Sequence, residues 1–564
     1  MKYKKFSELC NSLGATTKRL EKTEILSDFL KGLDEKNAGI LYLLLGRVFP
    51  EYDTREMGIS SQLAIKALSK ASGASAEEIN REWKSIGDLG KVAEKLMGSR
   101  KQSVLNKKDL DTEYVLESLR KLPDMEGKGT VDKKISIITE LLASATPLES
   151  LYILRILIGD LRIGIQESTI RDAIAKAFFP EGENASKKIQ SALDKTNDIG
   201  KIFSLAKKGK LEELSGMELE VGRPVKVMLA QKAKNVREGF EKVGKPCAIE
   251  YKYDGFRLLV HKDGDSVKLY TRRLEDVTKQ FPEVVKYVKE YVRGKSFIVD
   301  GETVGYDRKT KEYRPFQEIS QRIKRKYNIE QLEEELPVEI NLFDILYYDG
   351  KTLLNEPFRK RAELIREIVS PQKYKIRTAE QIITDDESVA EKFYRKALDE
   401  NQEGVMMKNL DAVYQPGSRV GHMLKIKPEE REMDLVITGA EYGTGKRSGW
   451  MSSFIISCRQ ENDFLEIGKV GTGIKEKEGL EEGASFGELT KMLAPLVRDE
   501  EGRNVSVIPK VVVTVRYQEI QKSPTYPSGF ALRFPRVTAL RPDRSPKDIE
   551  SLEEVRRDYE NQGK

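Results

Sequence analysis

Residues 250–257 have the sequence EYKYDGFR, in which Lys252 ends an apolar run and a turn-forming Asp-Gly pair follows. This stretch predicts a strand that ends at a lysine, within a mixed α/β region. A lysine amine attacks a phosphate only when unprotonated, so a nucleophilic lysine needs a lowered pKa, which burial beside other cations provides. Arg257 would point back at the same pocket. Taken alone, the pattern is better explained by a lysine that flanks a hairpin turn.

The order of the charged and aromatic residues further along the chain changes that interpretation. Cations neutralise a triphosphate, carboxylates hold Mg²⁺, and an aromatic ring stacks on a base. Each residue alone also fits a solvated strand end, a core aromatic or a basic turn. The ordered set is Arg272, Glu302, Phe343, Glu403, Lys408, Lys425, Lys427, Arg533 and Arg536.

The pattern of apolar and turn-forming residues changes twice along the chain, which predicts three regions. Up to about residue 217, apolar residues recur at three- and four-residue steps, as in TEILSDFLKGL at 23–33, and Ser75 is placed to cap a helix. From 218 to 421, strand-like runs such as SFIVDGETVGYD alternate with helical stretches. From 422 to 564, short β-runs split by glycines suit a small barrel, and a Ser-capped polar helix follows them.

The composition is that of a soluble globular protein with a heavily charged surface. The 564 residues are 39% hydrophobic and 34% charged, with a net charge of +6, so composition alone does not announce a nucleic-acid binder. Three scattered cysteines and two histidines argue against a disulfide framework and a structural zinc. The N-terminus lacks the apolar core of a signal peptide, and the apolar runs are too short to span a bilayer. We therefore expect a cytoplasmic protein.

The ordered motifs resemble those of the nucleotidyltransferase superfamily of DNA ligases, RNA ligases and capping enzymes. The resemblance covers nearly the whole chain and is strongest to the ATP-dependent DNA ligases of archaea and eukaryotes. It implies that Lys252 is the nucleophile that becomes adenylated. It also implies that Glu250 lies at the adenine edge, that Phe343 stacks on adenine, and that Arg257 lies by the phosphates or ribose.

The same resemblance implies roles for the remaining carboxylates and cations. Glu302 and Glu403 resemble the metal-associated acids, Glu302 also being ribose-associated, while Glu275 is a less certain match to a DNA- or metal-proximal acid. RFPR at 533–536 resembles the terminal motif that orients the pyrophosphate of ATP. The basic residues expected to bind ATP are Arg272, Lys408, Lys425, Lys427, Arg533 and Arg536.

Segments outside the central region resemble DNA-binding parts of the family. Arg162 lies in LRIGI, which is similar to a signature of the helical DNA-binding domain, and GTGKRSG contributes Lys446 and Arg447 as candidates for DNA phosphates. Helix–turn and solvated-hairpin explanations stay open for both segments. Residues 101–105, around Gln102, lie where archaeal relatives carry a sliding-clamp-binding peptide. The segment lacks the paired aromatics of that peptide, so a surface loop is an equal alternative.

The resemblance predicts a multidomain α+β protein. Its parts would be an all-helical DNA-binding domain at 1–217, an adenylation domain at 218–421, and an OB-fold domain with a C-terminal helix at 422–564. The predicted activity is ATP-dependent sealing of nicks in duplex DNA by a monomer, with ATP and Mg²⁺ as cofactors. An RNA ligase or capping-type guanylyltransferase, and a non-catalytic DNA-binding protein of the same fold, are the alternatives.

Overall fold

The computed structural model describes residues 1–99, 109–125, 127, 129–182, 184–314, 316–325, 328–428, 431–444, 447, 449–461, 463–476 and 484–562. These residues form two compact units. The first unit comprises Met1–Ser60 and Val104–Pro428, and the second comprises Ser61–Ser103 and Glu429–Lys564. Each unit has its own buried core.

The N-terminal region is helical, as the apolar spacing predicted. Local capping explains where helices begin: the Ser75 hydroxyl accepts from the Glu78 N–H, and Thr146 and Glu149 form a capping box in front of Pro147. The helices are α1 (Tyr3–Ala15), α2 (Arg19–Lys31), α3 (Ile40–Leu44), α4 (Ser61–Ser72), α5 (Ala76–Ile86), α6 (Leu89–Gly98), α7 (Thr112–Arg120), α8 (Thr130–Ser144), α9 (Pro147–Leu157), α10 (Glu167–Phe178), α11 (Ala185–Thr196), α12 (Ile199–Lys207) and α13 (Leu211–Ser215).

The central region alternates strands and helices. Its elements are β1 (Leu229–Lys232), α14 (Val236–Val243), β2 (Cys247–Lys252), β3 (Phe256–Asp263), β4 (Ser266–Thr271), α15 (Pro282–Tyr291), β5 (Ser296–Tyr306), β6 (Tyr313–Arg314), α16 (Phe316–Lys324), α17 (Ile329–Glu335), β7 (Val338–Tyr348), β8 (Lys351–Thr352), α18 (Phe358–Ile368), β9 (Ile376–Thr378), β10 (Gln381–Thr384), α19 (Glu387–Asp399), β11 (Gly404–Asn409) and β12 (Arg419–Ile426).

Two sheets organise these central elements. One has the order β1-β12-β11-β2-β10, and the other has the order β4-β3-β5-β7-β8 with β6 beside β5 and β9 beside β7. In the first sheet, β2 runs antiparallel to β11 and places Lys252 opposite Gly404. In the second sheet, β3 runs antiparallel to β5 and places Arg257 opposite Glu302. The chain passes from one sheet to the other in the turn at residues 252–256.

The C-terminal region is rich in strands, as predicted, and its last helix starts at a serine cap, Ser551. One sheet has the order β15-β14-β13-β17-β16, with β18 joining β13 to β21, while β19 and β20 pair separately. The elements are β13 (Arg431–Tyr442), β14 (Met451–Gln460), β15 (Asp463–Val470), α20 (Phe486–Leu493), β16 (Val497–Glu501), β17 (Asn504–Val507), β18 (Val512–Tyr517), β19 (Ile520–Lys522), β20 (Phe530–Leu532), β21 (Arg536–Leu540) and α21 (Leu552–Glu560).

Helices α4 to α6 belong to the second unit, together with the C-terminal strands. An ion pair between Lys84 on α5 and Glu500 on β16 connects these two parts of the unit. The N-terminal helices are therefore divided between the two units, a grouping that helical periodicity does not reveal. None of the helices that the structure describes combines the length and the apolar composition needed to span a bilayer.

A buried histidine in β3 makes the central region sensitive to acid. His261 is 1% exposed, and its Nδ1 accepts a hydrogen bond of 3.0 Å from the Gly222 N–H. Burial, reinforced by the charge of Lys268, lowers the pKa of His261 to about 3. The unfolded chain therefore binds one more proton than the folded chain between pH about 6.5 and about 3. This contribution to stability is complete above pH about 6.5 and is lost as pH falls.

We predict that His261→Gln flattens the acid side of the stability profile, because glutamine does not titrate and its carbonyl can accept from Gly222. The free energy of unfolding of the unsubstituted chain should fall more steeply below pH 6, by up to about 1.4 kcal/mol per pH unit. Denaturant unfolding from pH 8 to pH 4 measures the difference, with the pH 8 value of each protein as its own reference. The prediction would be contradicted if the free energy of unfolding fell equally with pH in both proteins.

Candidate active site

Lys252 lies at the end of β2, beside a carboxylate that it shares with a second lysine. Its Nζ is 2.5 Å from Glu403 Oε2, and Lys427 Nζ is also 2.5 Å from that oxygen. The side chains of Lys252, Glu403 and Lys427 are 22%, 9% and 17% exposed. Pairing of β2 with β11 and of β11 with β12 brings the three residues together. The structure thus unites three predicted site residues that are up to 175 positions apart.

The two lysines determine the charge state of Glu403. Burial disfavours the Glu403 carboxylate, but the charges of Lys252 and Lys427 outweigh burial and hold the pKa of this carboxyl at about 2. Lys425 belongs to the same group of charges, since burial, then Lys427 and then Lys252 lower its pKa. The cluster therefore contains an ionised carboxylate and several cations around one amine.

Glu302 adds a second carboxylate that interacts with Lys252. Burial raises the pKa of Glu302 to about 7, against the opposing charges of Lys252 and Arg257, and Glu403 contributes to the rise. Proteins hold Mg²⁺ through one or two carboxylates together with substrate phosphates, and Glu302 and Glu403 fit that arrangement. No group of three or more His, Cys, Asp or Glu side chains suited to a metal occurs among the described residues.

A second group of polar side chains surrounds Glu250, which precedes Lys252 in β2. Glu250 is buried, and its carboxylate accepts from Lys408 Nζ at 2.6 Å and from Gln381 Nε2 at 2.6 Å. Lys408 Nζ also lies 4.7 Å from the centroid of the Phe343 ring. The structure thus places Lys408 with the predicted adenine-binding residues, where it pairs with Glu250. Gln381 was not among the predicted site residues, because only the pairing of β10 with β2 brings it opposite Glu250.

Arg257 is held by buried protein groups. Its Nε and Nη2 donate to Asp300 at 2.8 and 2.5 Å, and its Nη1 donates to the Met228 carbonyl at 2.7 Å. The Tyr414 hydroxyl donates to the same aspartate at 2.9 Å. The guanidinium lies 5.3 Å from the Phe343 ring centroid, so Arg257 is close to the predicted adenine-stacking ring. Asp300 and Tyr414 are further site residues that sequence reasoning missed.

The other predicted residues of the first unit differ in their surroundings. Burial, then the charges of Arg257 and Arg419, lowers the pKa of Arg272, which places Arg272 in the electrostatic environment of the site. Glu275 instead accepts a hydrogen bond of 3.3 Å from the Thr271 hydroxyl. No described contact connects Glu275 to the cluster around Lys252.

Two of the predicted residues of the second unit, Arg533 and Arg447, make local ion pairs. Arg533 Nη1 donates to Glu519 at 2.8 Å, and the exposed Arg536 begins β21. Arg447 Nη2 donates to Glu476 at 2.9 Å. These contacts are of the kind that a phosphate could replace, and the roles of the three arginines stay predictions.

Arg162 lies in the turn between α9 and α10. It has a left-handed backbone, with φ of 58°, and its Nε donates to Asp160 at 2.7 Å. A non-glycine residue in this conformation is uncommon, so the turn is constrained by its surroundings. Lys446 and the clamp-like segment around Gln102 lie outside the described residues.

Two mostly antiparallel sheets are joined by a turn that follows a strand-end lysine, and carboxylates and cations surround this lysine. This arrangement defines the central region as a nucleotidyltransferase domain. Comparison with known families is consistent with this class. A model described as ATP dependent DNA ligase domain matches residues 227–427. Models described as DNA ligase N terminus and ATP dependent DNA ligase C terminal region match residues 2–175 and 447–544.

Individual relatives are similar over the full chain. A DNA ligase of Nanoarchaeum equitans is 45% identical, covering 100% of this chain and 99% of its own length. A DNA ligase of Thermococcus onnurineus is 41% identical, with coverage of 100% and 98%. The chain therefore belongs to the family of archaeal-type ATP-dependent DNA ligases, as its motifs predicted. The solved structure titled Pmar-Lig_PreS3 shares the fold at 18% identity, with a TM-score of 0.59 over 95% of this chain and 99% of that one.

Gly255 is required by close packing in the turn after Lys252. A Cβ added at this position would lie 2.2 Å from the carbonyl oxygen of Thr303, far inside van der Waals contact with backbone. We predict that Gly255→Ala displaces the turn, destabilises the fold by about 1–3 kcal/mol and reduces the rate of adenylation at least tenfold. Thermal unfolding and the rate of AMP incorporation measure the two effects.

Gly421→Ala is the matched control for this prediction. Gly421 lies in β12 of the first sheet, and the nearest atoms to an added Cβ are those of the Gln231 side chain, at 3.8 Å. This variant should retain stability and adenylation. If Gly255→Ala retained the stability and the adenylation rate of Gly421→Ala, the close approach to Thr303 would be unimportant.

Proposed function

We propose that Lys252 is the amine through which this DNA ligase carries AMP. The Lys252 nitrogen attacks the α-phosphorus of ATP, the bond to the pyrophosphate oxygen breaks, and a lysine–AMP phosphoramidate forms. AMP then passes to the 5′-phosphate at a nick, and the 3′-hydroxyl attacks that activated phosphate, joining the strands and releasing AMP. The observation that carries the proposal is the shared contact of Lys252 and Lys427 with Glu403, at 2.5 Å each.

Glu403 orients the attacking amine in this proposal. Because the pKa of Glu403 is about 2, the carboxylate is a weak base near neutral pH and does not store the proton that the amine must lose. Its ion pair instead directs Nζ toward the position that the α-phosphate would occupy. Lys425, Lys427 and Arg272 then provide positive charge for the triphosphate.

Glu302 and Glu403 are the residues that would hold Mg²⁺. The ion, when bound, neutralises charge on the phosphate oxygens. A cation beside Glu302 would also favour the ionised form of this carboxyl, whose pKa burial raises to about 7.

The group around Glu250 is the proposed adenine site. A carboxylate acceptor suits the exocyclic amino group of adenine, and the Phe343 ring provides a stacking surface beside it. Lys408 and Gln381 hold the Glu250 carboxylate at 2.6 Å each, so its orientation is set before the nucleotide binds.

The proposal extends to DNA and partner contacts. Arg162, Lys446 and Arg447 would bind DNA phosphates, and Arg533 and Arg536 would orient the pyrophosphate of ATP. We place the domain boundaries near residues 217 and 421, and we propose a cytoplasmic monomer whose residues 101–105 contact a sliding clamp. Recognition through phosphates and groove shape would make binding nearly independent of sequence.

We predict that Lys252→Arg abolishes adenylation by ATP while the fold is retained, because arginine keeps the charge beside Glu403 but its guanidinium is not a nucleophile. Intact mass after incubation with ATP should show an added AMP on the unsubstituted chain and none on the variant. Lys262→Arg is the control, since Lys262 Nζ donates to the Gly294 carbonyl and lies outside the site. A fully adenylated Lys252→Arg variant would refute the assignment, and labelling by GTP alone would favour a capping enzyme.

We predict that affinity for a nicked duplex falls steeply with salt. If six or more phosphates are neutralised, affinity should drop by roughly 10³-fold or more between 50 and 200 mM salt. Fluorescence anisotropy with two nicked duplexes of unrelated sequence measures the salt slope and the sequence dependence together. Affinity that does not change with salt, or that differs widely between the duplexes, would contradict binding through phosphates.

A further inference from the structure

The turn that follows Lys252 is held by the side chain of Gln402. Gln402 is 5% exposed and lies in the connection between α19 and β11. Its Oε1 accepts from the Asp254 N–H at 3.3 Å, and its Nε2 donates to the Glu400 carbonyl at 3.0 Å. Both ends of one buried amide are therefore used, and one of them fixes a backbone group two residues after Lys252.

Glu403, the next residue along the chain, also contacts the end of β2. The Glu403 N–H donates to the Lys252 carbonyl at 2.9 Å, while the Glu403 carboxylate meets Lys252 Nζ. Gly404 follows with a φ of +137°, and a Cβ there would lie 2.1 Å from the Ile426 carbonyl oxygen. The connection is thus packed against β12 and has no room to move away from the turn.

Tyr253 holds the turn from another side. Its ring is buried, and its hydroxyl accepts from the Glu380 N–H at 2.9 Å. The Tyr251 N–H donates to the Glu380 carbonyl at 3.2 Å, so the same residue contacts the strand on both sides of Lys252. Gln402 has neither a charge nor a nucleophile to offer the reaction, and the Tyr253 hydroxyl is engaged by the Glu380 N–H. Both side chains are too buried to bind DNA.

We propose that Gln402 and Tyr253 are positioning residues for the attack of Lys252 on the nucleotide. The inference rests on the proposed role of Lys252. A lysine side chain has four rotatable bonds, so the direction of Nζ depends on how firmly its own backbone is held. Misplacement of a reacting atom by about 1 Å can slow a reaction by about 10²-fold. Gln402 fixes the backbone after Lys252, and Tyr253 fixes the strand end through its contact with Glu380.

Because the reaction has three steps, an effect on the positioning of Lys252 can be distinguished from an effect on the stability of the fold. Lys252 attacks phosphorus only in the first step, whereas the last step joins a nick whose 5′-phosphate already carries AMP. Gln402→Met removes both hydrogen-bonding groups at nearly constant volume, and Tyr253→Phe removes one hydroxyl. We expect each variant to slow single-turnover adenylation at saturating ATP by about tenfold, because a backbone that is held less firmly misplaces Nζ for the attack. The KM for ATP and the joining of pre-adenylated nicked DNA should change less than twofold.

Gln190→Met is the matched control. Gln190 on α11 also uses both ends of its amide, accepting from Arg171 at 2.6 Å and donating to Asp194 at 2.7 Å, far from Lys252 in sequence and outside the site. It should leave adenylation unchanged, and thermal unfolding shows that each variant is folded at the assay temperature.

Three outcomes would overturn the positioning role. They are adenylation at the rate of the unsubstituted chain, an equal loss in adenylation and in joining of pre-adenylated DNA, and a raised KM at constant maximal rate. If the unsubstituted chain itself carried no AMP at Lys252, the proposed function would fail, and the inference would fail with it. Normal adenylation of the unsubstituted chain and of Gln402→Met alike would overturn only the inference.

Discussion

The site depends on one buried carboxylate that binds two lysines. Glu403 would be costly to bury alone, and Lys252 and Lys427 offset that cost at 2.5 Å each. The three side chains come from the ends of β2, β11 and β12, so the ion pairs can form only when these strands pair in the observed register. The register of the first sheet and the charge balance around Lys252 are therefore one constraint, and a shift of any of these three strands would break both.

Charge compensation continues through the rest of the pocket. Glu250 pairs with Lys408, and Arg257 pairs with Asp300, so each of these buried charges is neutralised by another protein group. Buried pairs of this kind add little to stability compared with apolar packing, but removing one partner leaves an unpaired charge. They keep polar groups oriented in a region of low dielectric, where a nucleotide meets a preformed set of donors, acceptors and charges. Glu302 differs, since burial raises its pKa and the charges of Lys252 and Arg257 only partly oppose that rise.

Local sequence patterns predicted the type of most elements but not how they group. The helical spacing before residue 217, the serine caps of α5 and α21, and the strand ending at Lys252 follow from side chains a few positions apart. Local patterns do not predict that α4 to α6 belong to the second unit. That grouping depends on contacts such as the one between Lys84 and Glu500, which are more than 400 positions apart. Likewise, the family's pattern places Lys408 among the residues that bind ATP, but only the folded chain shows that its Nζ forms an ion pair with Glu250.

The sequence by itself determined the family, the order of the motifs and the identity of the candidate nucleophile, because these depend on residue types at fixed spacing. Only the tertiary structure decided that Gln381, Asp300 and Tyr414 contact the candidate site and that Gln402 contacts the turn after Lys252. Each reaches its partner through strand pairing or through a connection between distant elements. Their residue types are common and carry no signal of their own. Long-range register selects which of many similar polar side chains face the cleft, and that selection is a property of the folded chain.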